Sequence, residues 1–307
     1  MKKGFLLIFL IILIGLVYKA YGFWHQRLWD GQNRLNLVAE SHPIFVSSLA
    51  PRKEMTILLI PDDIFVEAIR GFGFYRAKSI YKLGQLEGQG GELLLGSIQE
   101  FLGVPLEGHA VMESLKLKAD QDGEMVKKLL LSQIWLLLKS KGKTNLSAWD
   151  LAVFWWQLKK IRPSKITLVN LGQLGACSET TLADGTRVIN VDSERLNQLV
   201  NQLFEDEKIR AEDLALSVLN GTGQFGLAKK AARLISNLGG RVVEAGDWQS
   251  TVLNCQLRGA KSQVKSYTAQ KIKKIFGCQW TGDDLAGHRA DLVIILGEDY
   301  WQKLNKK

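Results

Sequence analysis

Gly4 to Trp24 is a 21-residue stretch whose only charge is Lys19. Coiled as a helix it is about 30 Å long, the thickness of a bilayer's hydrocarbon core. No second run comes near that length, so a polytopic membrane protein is excluded, and everything beyond residue 25 has to bury its apolar groups in a water-soluble fold. Lys2 and Lys3 favour a cytoplasmic start. Lys19 lies near the far end, where its stem can snorkel, and Tyr18, Tyr21, Phe23 and Trp24 suit the interfacial belt. The expectation is a membrane anchor at residues 1–25, with the bulk of the chain on the outer side of the cytoplasmic membrane. A cleaved signal peptide competes, with Ala20-Tyr21-Gly22 as a small-x-small site. A buried soluble helix is the third reading.

Export decides what the rest can be. Nucleotide cofactors and intracellular nucleic acid become poor partners, and we expect no cofactor and no nucleic acid. Disulfides become permitted. Of three cysteines, Cys255 and Cys278 could pair and leave Cys177 over; three buried thiols are the alternative. With 46% hydrophobic and 23% charged residues the chain is neither disordered nor a disulfide-dense miniprotein. The net charge of +9 is uneven: residues 1–28 hold four basic and no acidic groups, residues 29–211 hold 22 of each, and residues 212–307 hold 14 basic and nine acidic.

The patterning predicts an α/β (α+β) fold in two parts, a mixed-sheet domain over 29–208 and a small βαββαβ domain over 212–307. Arg34–Ala39, Ile44–Leu49 and Met55–Ile60 are rich in β-formers and separated by turns, so they predict three strands; Ile64–Ala68 predicts a fourth. The glycine-dense stretch Gly71–Gly91 reads as loop with one or two helical turns. Leu93–Leu102 reads as a helix stopped by Gly103, and His109–Leu115 as a strand. Gly123–Lys139 and Ser147–Lys160 are strong helices, the second opened by a capping-box pair, Ser147 and Asp150. That second helix contains Trp149, Trp155 and Trp156, which fit burial or a surface facing a partner or a membrane. Lys165–Asn170 and Arg187–Val191 predict strands around a turn-rich insert, and Ser193–Asp206 a helix. The charged run Glu205–Asp213 reads as a linker. Beyond it, strands at Leu214–Leu219, Arg241–Ala245, Val252–Leu257 and Asp291–Leu296 alternate with helices at Gly226–Leu238 and Gln263–Phe276, the order of a split βαβ unit.

Between the first of these strands and its helix lies Asn220-Gly-Thr-Gly-Gln-Phe-Gly226, a complete G-x-G-x-x-G, with Glu244 at the end of the next strand. The pattern is that of a dinucleotide site. Against it stand the small size of the domain, its single such crossover and its expected location outside the cell. Gly221, Thr222, Gly223 and Gly226 instead suit a tight structural turn, or amides at a helix start that bind some other anion. Arg258, Lys261, Lys265, Lys271, Lys273 and Lys274 cluster about the last long helix and fit a solvated face, or contact with an anionic polymer or lipid headgroups. The four histidines, His25, His42, His109 and His288, lack metal-ligand spacing, and no metal site is expected.

Three segments of the last hundred residues resemble the carboxy-terminal domain of LytR–CpsA–Psr envelope proteins. They are Leu216-Ser-Val-Leu-Asn-Gly-Thr-Gly-Gln-Phe-Gly-Leu-Ala, Gly239-Gly-Arg-Val-Val243 and Ala290-Asp-Leu-Val-Ile-Ile-Leu-Gly-Glu-Asp-Tyr300. More weakly, Leu59-Ile-Pro-Asp-Asp63 is similar to that family's I-P-R-D-T strand end, and Phe101-Leu-Gly-Val-Pro-Leu-Glu-Gly108 to its L-L-G-I-P-I-D. The resemblance implies a single-pass, outward-facing protein of cell-wall glycopolymer assembly, with a glycopolymer or a polyprenyl-phosphate lipid as ligand. The family's chemistry attaches lipid-pyrophosphate-linked glycopolymers to peptidoglycan. Here the motif arginine corresponds to Asp62 and the threonine to Ile64. The turn after the first strand reads Glu40-Ser-His-Pro43 rather than an acidic pair, and Glu113–Gln133 has lysines but no arginine. Phosphoryl transfer depends on cations to offset phosphate charge. A degenerate domain with a binding or scaffolding role is therefore the leading expectation. An active phosphotransferase using magnesium is the alternative, with Asp62, Asp63, Arg70, Arg76 and Lys78 as its weak candidates, and a regulatory protein is a third.

Overall fold

The computed structural model describes residues 27–305 apart from 141, 182–186 and 286, together with residue 15. The expected anchor at 1–25 thus lies, but for Gly15, outside the described residues. Among the described residues no helix is long and apolar enough to cross a membrane.

Strands β1 (Leu35–Glu40), β2 (Ile44–Ala50) and β3 (Glu54–Ile60) are buried along almost their whole length. A strand buried on both faces belongs between two layers, and that is where they lie. Together with β6 (Gly108–Val111) and β7 (Ile166–Asn170) they form a mixed sheet in the order β6-β1-β2-β3-β7. The three central strands are antiparallel, and both edge strands run parallel to their neighbours. Leu35, Leu37 and Ala39 face a layer made by α3 (Gly123–Lys139) and α4 (Ala148–Lys160), through Val126, Leu130, Ile134, Leu151, Phe154 and Leu158. Val38 faces the opposite layer, α1 (Ala77–Gln85), α2 (Gly90–Leu102) and α5 (Ser193–Phe204). A hairpin of β4 (Phe65–Ala68) and β5 (Gly73–Arg76) leads into α1.

The capping box of α4 forms as the sequence predicts, and α2 ends at Gly103 in the left-handed conformation. Asp150 does more than cap. Its carboxylate accepts from the backbone N–H groups of Leu28 (3.1 Å) and Trp29 (3.0 Å) as well as from Ser147, so the described chain starts on the first turn of α4.

In the second domain, β10 (Ala215–Asn220) lies between β11 (Arg241–Asp247) and β14 (Leu292–Leu296), parallel to both. The sheet continues through β12 (Gln256–Arg258), antiparallel to β14, to β13 (Gln279–Gly282), in the order β11-β10-β14-β12-β13. The expected βαββαβ order is thus corrected. There are five strands, and β10 and β11 are direct neighbours rather than split by a third. The unforeseen β13 is a short, mostly exposed edge strand, too brief to leave a periodic signature. Helices α7 (Leu227–Asn237) and α9 (Tyr267–Phe276) cover one face. The expected helix Gln263–Phe276 divides into α8 (Lys261–Val264) and α9, because Ser266 turns out of the helix and caps Ala269 N–H. A last helix, α10 (Glu298–Asn305), packs Tyr300 against Phe276. Cys255 and Cys278 are joined by a disulfide, and Cys177 is a free thiol at the start of β8 (Cys177–Thr181), which pairs with β9 (Arg187–Val191).

Two further expectations need correction. The stretch 71–91 contains a strand and a nine-residue helix with Ala77, Ile80 and Gly84 buried; glycine density masked the amphipathic spacing. The charged run 205–213 is not a free linker but α6 (Glu207–Glu212), capped by Asp206. Asp206 also accepts from the Tyr267 hydroxyl, and Glu212 accepts from the N–H groups of Tyr267 and Thr268 at the start of α9. Carboxylates at a helix start satisfy amides that the helix itself leaves unpaired. On the other side, Arg233 and Asn237 of α7 donate to the last carbonyls of α2, those of Glu100, Phe101, Leu102 and Gly103.

Candidate functional site

The carboxyl ends of β1 and β3 bring the first-domain candidates together. Pro61 ends β3, and the turn after it presents Asp62 and Asp63 side by side. Their surroundings differ. Asp63 is half exposed and is paired with Lys78 at 2.8 Å and with Arg76 at 3.3 Å. The hydrogen bond from Lys78, aided by the charge of Arg76, holds its carboxyl below the usual range. Asp62 meets neither cation. Its nearest ionisable partner is His42, at 3.9 Å, and its Oδ1 is buried without a hydrogen-bond partner.

Beside it stands Glu40, the last residue of β1, only 3% exposed and with Oε2 unpartnered. Burial pushes its carboxyl up to about 7; Asp62 and Glu113 push the same way, and Lys82 opposes them. Sequence reasoning passed over Glu40 because a lone acid in a Glu-Ser-His-Pro turn carries no signal. What would have exposed it is its position: a β1 residue two beyond Val38 shares the face of Val38, inside the α1–α2 layer.

Arg70 does not join this group. It adopts a left-handed backbone (φ 66°), donates to Gln89, and lies between two clefts where the domains meet. The larger cleft, about 630 Å³, is lined by Phe74, Phe101, Lys230 and Trp301; the smaller, about 370 Å³, by Leu95, Pro105 and Lys274. Of the three cations expected to offset Asp62 and Asp63, two reach Asp63 and none reaches Asp62. Among the described residues no cluster of three or more His, Cys, Asp or Glu is placed to hold a metal ion.

The glycine loop of the second domain is turned on itself. Asn220 Oδ1 accepts from Thr222 N–H at 3.1 Å and from its hydroxyl at 2.7 Å, and Thr222 Oγ1 accepts from Gln224 N–H at 3.1 Å. Gly221 N–H bonds to Leu296 O, and a Cβ at Gly221 would come within 2.8 Å of that oxygen. Gly226 takes φ +79° as the N-cap of α7. Gly223 is neither left-handed nor crowded. Above the strand ends, where a dinucleotide would lie, the segment after β11 folds over: Trp248 N–H bonds to Asn220 O and Val252 N–H to Gly221 O. Glu244 is bound to the Ser217 hydroxyl and to His288, each at 2.6 Å.

The basic cluster is corrected in part. Lys271 is buried and pairs with Glu107, whereas Lys274 stays exposed while donating to Leu28 O.

With this geometry in place, residues 213–300 match the family described as the LytR cell envelope-related transcriptional attenuator. Residues 213–300 are a LytR-type carboxy-terminal domain. The match covers β10 to the start of α10, so the inward-turned glycine loop is part of the LytR-type domain. No curated protein matches the sequence. Among solved structures the chain is similar to B. subtilis TagT, with 14% identity, TM-score 0.40, and coverage of 57% of this chain and 91% of that one. A transcriptional regulator from Enterococcus faecalis gives 13% identity, TM-score 0.43 and coverage of 69% and 90%. A LytR-Csp2A-Psr enzyme from Actinomyces oris gives 11%, 0.20, and 90% of each chain.

Proposed function

We propose that the chain is an outward-facing envelope protein, held at the cytoplasmic membrane by Gly4–Trp24, which binds cell-wall glycopolymer or its polyprenyl-phosphate carrier without transferring it. The observation that carries this reading is the state of Asp62. It stands where the resembled motif has arginine, and the nearby cations Arg76 and Lys78 are both engaged by Asp63. A pyrophosphate arriving at this strand end meets Asp62, with the buried Glu40 behind it, rather than a cationic clamp. Like charges 4 Å apart repel by ~1 kcal/mol in water and more in a partly dry cleft. The LytR-type domain supports the envelope setting.

One observation favours the alternative, an active phosphotransferase. Glu40 Oε2 and Asp62 Oδ1 are both buried and unpartnered, as befits ligands of a hard divalent cation. Two carboxylate oxygens alone fall short of such a ligand set. The deciding assay offers the purified full chain a lipid-pyrophosphate donor, Mg²⁺ and peptidoglycan fragments. Binding of the donor with no transfer is expected. Metal-dependent transfer that is abolished by Asp62→Asn would replace this reading with the alternative.

A further inference from the structure

Helices α3 and α4 cover one sheet face, and their outer faces are unusual. On α3, Met125, Lys128, Ser132, Trp135, Leu136 and Lys139 are exposed, opposite the buried stripe Val126, Leu130, Ile134 and Leu137. On α4, Trp149, Ala152, Trp156, Lys159 and Lys160 are exposed, opposite Leu151, Phe154 and Leu158. Trp135, Trp149 and Trp156 are 55%, 44% and 52% accessible, and Leu136 is 51%. Because both helices pack their apolar stripes on the same sheet face, these outer stripes point the same way, away from the sheet.

Lysines accompany the rings. Lys139 lies 5.2 Å from the Trp135 ring, Lys159 4.9 Å from Trp155, and Lys160 4.6 Å from Trp156. Along the two helices five lysines face a single exposed acid, Glu124, since Asp150 is buried. Indoles flanked by lysine stems and ammonium heads match the boundary between acyl chains and anionic headgroups.

The path of the chain says which partner covers this face. Leu28 and Trp29 are held on the first turn of α4 by Asp150, next to Trp149. Only His25, Gln26 and Arg27 separate Leu28 from the apolar run that ends at Trp24. Three residues reach at most ~10 Å.

We propose that the outer face of α3 and α4 rests on the membrane, with Trp135, Trp149 and Trp156 in the interface and Lys128, Lys139, Lys159 and Lys160 on anionic headgroups. The proposal rests on the anchor reading above. A fold tethered by three residues has to abut the bilayer, and the tether starts at the amino end of α4, one residue from Trp149 in its first turn.

The test uses the full chain in vesicles of phosphatidylglycerol brominated on the acyl chains, with brominated phosphatidylcholine for comparison. Native protein is compared with the triple variant Trp135→Gln, Trp149→Gln and Trp156→Gln, whose exposed positions should leave its melting temperature unchanged. We expect stronger fluorescence quenching in the native chain, a loss of that excess in the variant, and a smaller excess in phosphatidylcholine. Trp24 contributes equally to both chains. Equal quenching in a chain that resists alkaline extraction overturns the docking and leaves the anchor standing. Extraction by alkali overturns the anchor, and the docking with it. Equal quenching with the three tryptophans shielded from acrylamide assigns the face to a second copy of the chain and overturns the proposal as well.

Discussion

Lys271 of the LytR-type domain and Glu107 of the first domain form an ion pair of 2.5 Å in which the side chains are 8% and 10% exposed. Glu107 also accepts from Asn36 N–H at 2.8 Å, so one carboxylate ties β1 to α9 across the domain boundary. Removing one partner of a buried pair strands the other. Lys271→Met should therefore cost ~3 kcal/mol, and adding Glu107→Gln should recover much of that loss, because glutamine still accepts from Asn36. Urea denaturation of the single and double variants measures the coupling; additive losses would contradict it.

Glu40 predicts a pH dependence of defined sign. Its carboxyl is raised to about 7 in the native state from an ordinary value of 4.5. The native protein thus holds a proton that the unfolded chain has released, and stability contributed by this residue falls as pH rises from about 4.5 to about 7, then levels off. Glu40→Gln should flatten that segment of the profile and stabilise the protein at about pH 8 by ~2 kcal/mol. Thermal melts across this range check it. A variant that melts below the native protein at the alkaline end would show that the carboxylate is held by something the pair with Asp62 does not supply.

Gly91 lies under the ring of His109, and a Cβ there would sit 2.0 Å from Nε2. His109 is buried, and burial holds its imidazole below the usual range, so it packs as a neutral ring. Gly91→Ala should cost ~2 kcal/mol through overpacking. In a His109→Ala background the same change should cost nothing or gain slightly, since alanine favours the helix. The double-mutant cycle is the measurement, and equal costs in the two backgrounds would refute the contact.

The glycine loop separates by position. Gly226 has φ +79° with open space around its Cβ direction, so Gly226→Ala should cost ~1 kcal/mol from backbone conformation alone. Gly223→Ala, at an ordinary φ with nothing within 4 Å, should be close to neutral. Chemical denaturation of the full chain distinguishes them.

Much of this fold is legible in the sequence because it follows period and punctuation. β1 to β3 are short β-rich runs between turns, and α4 carries the capping box that Ser147 and Asp150 predict. What escaped depends on the far side of a contact. Nothing local reveals that Glu212 caps a helix 55 positions later, that Lys271 is buried against Glu107, or that α1 emerges from a glycine-rich stretch. The candidate site divides likewise. Asp62 and Asp63 stand out through a motif, but which of them takes the cations is fixed by β5 and α1 folding back over the turn, and Glu40 enters only through the parity of β1.

Asp150 has a mechanical meaning. It is fully buried and receives Leu28 and Trp29 on one side and the start of α4 on the other. A pull arriving along the chain from before residue 28 is therefore taken up first by a helix terminus seated in the core, not by the edge of a sheet that could be peeled strand by strand.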